Sequence, residues 1–297
     1  MTPREEGFLL LTSQLGNPER KSLTVAQLRS LTVKVQGMEA AASDKQMQLS
    51  DLMALGCTRE LAERVLQLLS EEELLEYYLQ KGRQAHCQPI TRVSQGYPAK
   101  VRRRLGIDSP GCLWARGDVS LLDTPKIALV GSRDLMPPNE VFAREVGRQA
   151  ARQGYTLVSG NARGADRAAQ ETCLAEGGNV IVVVADELYR HTLRERVLYL
   201  SEDSFDAAFS APRALSRNRV IHSLGIGTFV AQSGLHSGGT WSGTVKNLLC
   251  GWSPVFCFDD GSCAAEQLQQ RGAVAVETEQ LKDLALLQNA AGNLFNL

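Results

Sequence analysis

The sequence predicts an α/β protein with a doubly wound, mostly parallel, Rossmann-like sheet, preceded by a small all-helical amino-terminal domain. From residue 126 onward, apolar runs of four or five residues alternate with segments of helical periodicity. Short continuous apolar runs are typical of strands buried on both faces, as in a parallel sheet covered by helices. Residues 1–95 show helical spacing and no strand-like run.

The first four predicted strands of the sheet domain are each followed by a loop and then by a predicted helix. Residues 96–125, with Tyr97-Pro98 and the Pro110-Gly111 turn, are expected to form a lead-in strand or a cap. The predicted domains are residues 1–95, 96–262 and a carboxyl-terminal extension of the sheet domain at 263–297. The strands are expected at 127–130, 156–159, 180–184, 228–231, 254–258 and 273–276, and the helices at 141–153, 165–176, 219–224 and 241–250.

The amino-terminal region contains three predicted helices. The first opens at Ser43–Lys45 and ends before the Gly56-Cys57-Thr58 turn, and the second runs on to Leu69. Ser70 is the expected N-cap of the third helix, and Gly82 its end. The unit resembles a helix–hairpin–helix or SAM-like domain, whose glycine turn can present amides to a DNA phosphate. A small helical bundle with an ordinary glycine turn explains the same residues.

Composition excludes several classes of protein. The chain has 297 residues, 43% of them apolar, which rules out wholesale disorder. No apolar run approaches the roughly 18 residues of a membrane span, and the MTPREEGFLLLTSQ start does not resemble a secretory signal. Seven cysteines without a pairing pattern indicate a reducing compartment, so we expect a cytoplasmic protein. A net charge of -1 means that a nucleic-acid partner must be argued from a local patch.

The candidate binding residues lie in loops at the predicted carboxyl ends of the strands. Ligands of open parallel sheets bind at this edge. Each loop combines small residues, which allow backbone amides to approach a ligand, with a hydroxyl or an arginine that can bind phosphate. Four such loops predict an anionic, phosphate-bearing ligand, whereas ordinary tight turns with solvated arginines are the alternative. The candidates are Gly131, Ser132, Arg133, Ser159, Gly160, Arg163, Gly164, Arg217, Asn218, Arg219, Ser237, Gly238, Gly239 and Thr240.

Several common motifs are missing from the sequence. It contains no Gly-x-Gly-x-x-Gly, no P-loop and no Cys-x-x-Cys. The Cys250, Cys257 and Cys263 spacing is too irregular for a usual zinc site, so buried free thiols are expected. His191 and His236 have no recognisable catalytic partner, and Asp166 is interpreted as a helix cap or an arginine partner. We therefore expect no catalytic residue, no metal and no cofactor.

These loops resemble the DNA-processing protein A family (DprA, also called Smf), within the wider set of SLOG folds. The resemblance runs from Tyr97 to about Gly261. It implies a protein that binds single-stranded DNA in DNA uptake or recombination, that loads a RecA-type recombinase, that forms a homodimer and that is not an enzyme. By position, it assigns the candidate serines, glycines and arginines to phosphate and DNA contacts. The matching stretches are IALVGSR (127–133), LVSGNARGAD (157–166), GGNVIVVV (177–184), LSE (200–202), RNRVIHSLG (217–225) and SGLHSGGT (233–240).

Three segments on the expected pocket rim depart from the family pattern: 185–200, Gln232-Ser233 and 258–261. These departures leave open a second function, the sensing of a free nucleotide or nucleotide-derived signal, for example in defence against mobile elements, because the 237–240 loop resembles the phosphate loop of SLOG relatives. A nucleotide phosphoribohydrolase is a weaker alternative, since no glutamate follows that loop at 241–246.

Overall fold

The computed structural model describes residues 1–35 and 47–287. The predicted opening at Ser43–Lys45 lies outside these residues. Helix starts are fixed by side-chain caps: Thr2 forms a capping box with Glu5, and the Thr58 hydroxyl accepts the Leu61 amide. The helices before the sheet are α1 (Pro3–Thr12), α2 (Val25–Val35), α3 (Leu49–Ala54), α4 (Arg59–Leu69) and α5 (Glu72–Gln84).

Two predicted boundaries in this region are wrong. Ser70 ends α4 instead of capping α5, because its hydroxyl donates to the carbonyl of Gln67 in the helix before it. Gly82 lies inside α5, where its missing side chain has a packing role. A Cβ there would overlap the ring of Trp114.

Nine strands form one sheet within the described residues, in the order β1-β2-β6-β5-β4-β3-β7-β8-β9. The strands from β3 to β9 pair in parallel, and β1 and β2 add an antiparallel edge. This architecture confirms the predicted fold class. The strands are β1 (Gln88–Thr91), β2 (Cys112–Gly117), β3 (Lys126–Val130), β4 (Thr156–Ser159), β5 (Val180–Val184), β6 (Val197–Glu202), β7 (Thr228–Val230), β8 (Val255–Phe258) and β9 (Val274–Val276).

The predicted strands are confirmed, but two further strands escaped prediction. Strand β1 lies within residues 1–95, so the expectation that this segment contains helices alone is wrong. Its sequence QPIT has one large apolar residue and pairs only with β2, so it carries no burial pattern of its own. Strand β6 follows an irregular connection, so its first residue could not be located from the sequence. The domain limits at 95 and 262 stay a prediction.

Helices cover both faces of the sheet. Ile127 and Leu129 of β3 face the cluster that contains α7 and α8, whereas Ala128 and Val130 face α9 and α10. This double burial is why the strands read as continuous apolar runs. None of the helices in the described ranges is long and apolar enough to cross a membrane. The remaining helices are α6 (Ala99–Leu105), α7 (Pro137–Arg152), α8 (Ala165–Ala175), α9 (Ala211–Leu224), α10 (Gly238–Cys250) and α11 (Cys263–Gln270).

The amino-terminal helices are attached to the sheet through an aromatic cluster. Tyr78 of α5 meets Trp114 of β2 edge to face, with ring centroids 5.3 Å apart, and both rings contact Phe205. The Tyr78 hydroxyl donates to Asp206 Oδ1 at 2.8 Å. Burial of these rings, together with that hydrogen bond, anchors α5 against the sheet.

The strand order reverses beside β3. The chain proceeds from β3 through β4 and β5 to β6 on one side, then returns to place β7, β8 and β9 on the other. Connections that leave β3 and β7 therefore diverge at their carboxyl ends and open a crevice between them.

Candidate functional site

A crevice of about 680 Å³ opens at this reversal point. Its walls come from the loop after β3, the start of α8, one side of α9 from residue 211 to 222 and the start of α10. The structure thus brings together segments that are far apart in the sequence. The predicted residues that line it are Gly131, Ser132, Arg133, Arg217, Asn218, Ser237, Gly238, Gly239 and Thr240.

The loop after β3 is packed closely onto α8. A Cβ on Gly131 would overlap the Cβ of Ala165, and Gly164, with φ +79°, lies against the carbonyl groups of Ser132 and Arg133. The Ala165 amide donates to Ser132 O at 3.1 Å. Both glycines allow the loop to pack closely on α8, and this packing holds the loop in place. Ser132 and Arg133 then line the crevice.

The amino terminus of α10 forms the opposite wall. Ser237 is the N-cap, but its side chain makes no capping hydrogen bond, and first-turn amides have no partner within a helix. Thr240 Oγ1 donates to Gly131 O at 2.9 Å, and Asn218 Nδ2 donates to Gly239 O at 3.1 Å. These bonds tie α9, α10 and the β3 loop together around a site that suits an anion.

Two arginines and one buried carboxylate give the crevice its charge. Arg133 is exposed and forms no ion pair with any residue in the described ranges. Arg217 is partly buried and donates to the carbonyl of Val183. Burial lowers the pKa of Arg217 from its ordinary value, and the Asp166 carboxylate opposes that shift. Burial raises the pKa of Asp166, whose Oδ2 accepts the Ala162 amide at 3.1 Å.

The other predicted residues lie around the crevice without lining it. Ser159 is buried and accepts a hydrogen bond from Gln170 at 2.6 Å. Gly160 leaves room for the Arg217 guanidinium, and Gly164 is the N-cap of α8. Arg163 pairs with Asp134 at 3.0 Å on the surface, whereas Arg219 pairs with the buried Glu202 at 2.9 Å.

Sequence reasoning missed an aromatic residue of the crevice and part of its frame. Phe209 lines the cavity just before the N-cap of α9 and is 57% exposed. An isolated aromatic side chain beside a helix start was the available signal. Gln232, in one of the divergent segments, accepts the Met136 amide at 2.8 Å, and its own carbonyl accepts the Ser132 amide at 3.0 Å. It therefore cross-links the end of β7 to the β3 loop.

The structure also shows where Asp166, the two histidines and the three cysteines named in the sequence analysis lie. Asp166 Oδ2 accepts the amide of Ala162 in the loop before α8, but the N-cap of that helix is Gly164, so the predicted role of Asp166 as the helix cap is wrong. His191 Nε2 lies 2.8 Å from Asp186 Oδ1, and the His236 ring lies edge-on to Trp241. The expectation that three cysteines near the carboxyl terminus are buried holds for Cys257. It is wrong for the other two, Cys250 and Cys263, because both lie on solvent-facing turns of α10 and α11.

The fold and the site together define a doubly wound α/β protein with an anion-binding crevice at its topological switch point. Residues 88–285 match the model of the DNA recombination-mediator protein A family, which covers more than half of the chain. The protein belongs to that family.

Individual relatives agree with this assignment. Protein Smf of Escherichia coli is 31% identical over 159 residues, which cover 49% of this chain and 41% of Smf. The chain thus spans about half or less of the length of the curated relatives it first matches. The X-ray structure of DprA from Streptococcus pneumoniae superposes with a TM-score of 0.71 at 25% identity, over 95% of this chain and 96% of that one. Helicobacter pylori DprA, described for its single-stranded DNA binding mode, has a TM-score of 0.55 at 24% identity, over 71% and 98%.

Proposed function

We propose that this protein binds single-stranded DNA across the crevice between β3 and β7 and acts in DNA processing. The observation that carries the proposal is the position of Arg133, which lies across the crevice from the open first turn of α10. Arg133 has no ion-pair partner among the described residues. Guanidinium groups and helix amides both suit phosphate oxygens. Family membership supports the same ligand, and the Helicobacter pylori neighbour is described as binding single-stranded DNA.

Each wall has a separate role in this proposal. Arg133, Ser132 and the amides of Gly238 and Gly239 hold phosphates. Arg217 contributes positive electrostatic potential to the crevice. It is not free to follow the strand, because its guanidinium is held by the carbonyl of Val183. Phe209 offers an exposed ring for a base to stack on, a contact that tolerates any sequence.

Arg163 and Arg219 differ in how readily they reach DNA. The Arg163–Asp134 pair has side chains 70% and 83% exposed, so water screens it and a phosphate can displace the carboxylate. Arg219 is held by Glu202, whose side chain is 9% exposed. We therefore assign Arg163 to direct contact and Arg219, with Ser159, Gly160 and Gly164, to support of the loops.

Further parts of the proposal derive from the family. We infer that the protein binds DNA without turning it over, that it loads a RecA-type recombinase in DNA uptake or recombination, that it forms a homodimer and that it acts in the cytoplasm. The engagement of Asp166 with a backbone amide and the burial of His222 favour binding over catalysis, because neither group is free for proton transfer.

A sensor of a free nucleotide is the second candidate. The observation that favours it is the pairing of Arg163 and Arg219 with carboxylates, which leaves the crevice less cationic than the sequence predicts. One phosphate at the α10 amides and one base on Phe209 are within the capacity of a cavity of about 680 Å³.

A fluorescence titration separates the two candidates. The purified chain is titrated with a labelled single strand of about 30 nucleotides, longer than the roughly 4–16 nucleotides of one binding fold, at two salt concentrations. Unlabelled duplex and a mononucleotide serve as competitors. We expect tight binding that weakens steeply with salt, is not displaced by duplex and is lost in Arg133→Ala.

The matched control is Arg103→Ala. Arg103 is also exposed and lies on α6, next to Arg104, which donates to the carbonyl of Ser223 in the last turn of α9. No binding of the strand, together with a thermal shift caused by the mononucleotide, would replace DNA binding by the sensor function.

A further inference from the structure

The connection between β5 and β6 forms no α-helix. Residues 185–196 contain a single 3-10 turn at Leu188–Arg190, whereas β3, β4 and β7 are each followed by a full helix. A second cavity of about 360 Å³ lies between this connection and α8. Its floor includes Tyr199 of β6, and its walls are one side of α8 and the segment from Arg190 to Arg194.

This groove begins where the first crevice ends. Ala162 and Asp166 line the crevice, and their sequence neighbours Asn161 and Arg167 line the groove. The β4–α8 loop is therefore the ridge between the two cavities. A flexible chain that fills the crevice reaches the groove by crossing this one loop.

Positive charge in the groove exceeds what the protein itself neutralises. Arg167 and Arg194 are exposed and have no hydrogen-bond or ion-pair partner within residues 1–35 and 47–287. Arg190 pairs with Glu187 at 3.3 Å, and His191 with Asp186 at 2.8 Å. Among the residues that the structure describes, Glu171 is the one carboxylate that lines the groove. It lies one helical turn from Arg167. A single carboxylate carries too little negative charge to neutralise both free guanidinium groups.

We propose that the groove between α8 and the β5–β6 connection is a second phosphate-binding site, which holds the continuation of the single strand that leaves the crevice. Arg167 and Arg194, on opposite walls, bind its phosphates. This inference rests on the proposed function and adds a substrate property to it, because a strand must be long enough to fill both cavities to bind at full affinity.

The test compares oligo(dT) of two lengths by fluorescence anisotropy. A strand of about 5 nucleotides, near the lower limit for one binding fold, fills the crevice alone, and one of about 25 nucleotides fills both sites. We expect the Arg167→Ala/Arg194→Ala variant to lose affinity for the long strand by roughly tenfold or more and to bind the short strand as the wild type does. The salt dependence should fall by about 1.4 in slope, since each lost phosphate contact on a single strand removes about 0.7. Glu171→Gln should tighten binding of the long strand only.

The controls keep the two proposals distinguishable. Arg133→Ala should weaken both strands, and Arg103→Ala neither. If the wild type binds neither strand, or Arg133→Ala changes nothing, the crevice proposal fails. If Arg133→Ala acts as expected but the double variant retains wild-type affinity and salt slope for the long strand, the groove proposal alone is overturned.

Discussion

The guanidinium of Arg217 occupies the space that a side chain at Gly160 would fill. A Cβ at position 160 would overlap both terminal nitrogens and the Cζ of Arg217. The guanidinium has little freedom to move away, because its Nε is buried and its Nη1 donates to the carbonyl of Val183. Gly160 therefore sets the position of positive charge beneath the crevice, although it does not line the crevice itself.

The first prediction concerns this pair of residues. Gly160→Ala should displace Arg217, reduce the affinity for single-stranded DNA and lower the free energy of unfolding by about 1–3 kcal/mol, the usual cost of overpacking. Anisotropy and urea denaturation measure the two effects. Gly96→Ala is the control, since no atom lies within 4 Å of a Cβ there. Equal behaviour of both variants would refute the assigned role of Gly160.

Asp134 should act against DNA binding. Its carboxylate pairs with Arg163 at 3.0 Å and lies next to Arg133 in the chain. Asp134→Asn removes a negative charge and frees Arg163, so we expect affinity for a single strand to rise roughly twofold to fivefold at low salt, the range set by an exposed pair. Because screening weakens such pairs, the gain should shrink as salt rises. In Asp134→Asn/Arg163→Ala most of the gain should vanish; a gain that persists in full would contradict the release of Arg163.

Phe209 should contribute to binding without charge. Phe209→Ala removes the exposed ring and should cost about 1–3 kcal/mol in affinity, the value of one stacked base. The slope of affinity against salt should stay unchanged, which separates this effect from that of Arg133→Ala. Phe209→Trp should bind as tightly as the wild type, whereas Phe209→Leu should bind nearly as weakly as Phe209→Ala. Full binding by the leucine variant would indicate apolar packing in place of stacking.

His222 should make folding stability fall in acid. It is buried, accepts a hydrogen bond at Nδ1 from Asn247 and lies 3.2 Å from Thr228 Oγ1. Burial lowers its pKa from 6.5 to about 3. The unfolded chain gains a proton near pH 6.5 while the folded protein does not, so stability is complete above pH 6.5 and is lost as the pH falls toward 3. The loss approaches about 1.4 kcal/mol per pH unit.

The contribution of His222 is measured by difference. Urea denaturation of the wild type and of His222→Asn between pH 7 and 4 removes the effect of carboxylates common to both. The variant should be less stable at pH 7, because Asn247 and Thr228 lose a partner, and should lose less stability on acidification. Parallel pH curves for the two proteins would show that His222 does not carry this dependence.

Gly147 should be irreplaceable for the packing of α7 on α8. A Cβ there would overlap the carbonyl oxygen of Ala169. Gly147→Ala should therefore destabilise the protein by about 1–3 kcal/mol, although alanine favours a helix by about 1 kcal/mol. Gly7→Ala in α1 is the control, since its nearest atom lies at 3.8 Å, and it should be neutral or stabilising. In thermal denaturation, Gly147→Ala should have a lower melting temperature than the wild type, and Gly7→Ala an unchanged or higher one.

The fold class, most strands of the parallel sheet and the loops that form the crevice could be predicted from the amino-acid sequence. Local patterns carry this information, because burial on both faces produces continuous apolar runs and tight loop packing demands glycine. Gly131, for example, could be singled out without knowledge of what it packs against. Strand β1 escaped prediction because its stability comes from pairing with β2 and not from its own composition.

Which charges reach the site could not be predicted in this way, because it depends on ion pairs between segments that are distant in the sequence. Arg163 and Arg219 look like Arg133 in the sequence, yet one pairs with Asp134 and the other with Glu202, partners 29 and 17 residues away. The same holds for the groove beside α8, which lies along a β5–β6 connection that forms no α-helix. Hydrophobic periodicity is a local property, whereas ion pairs and open grooves depend on which segments the fold brings together.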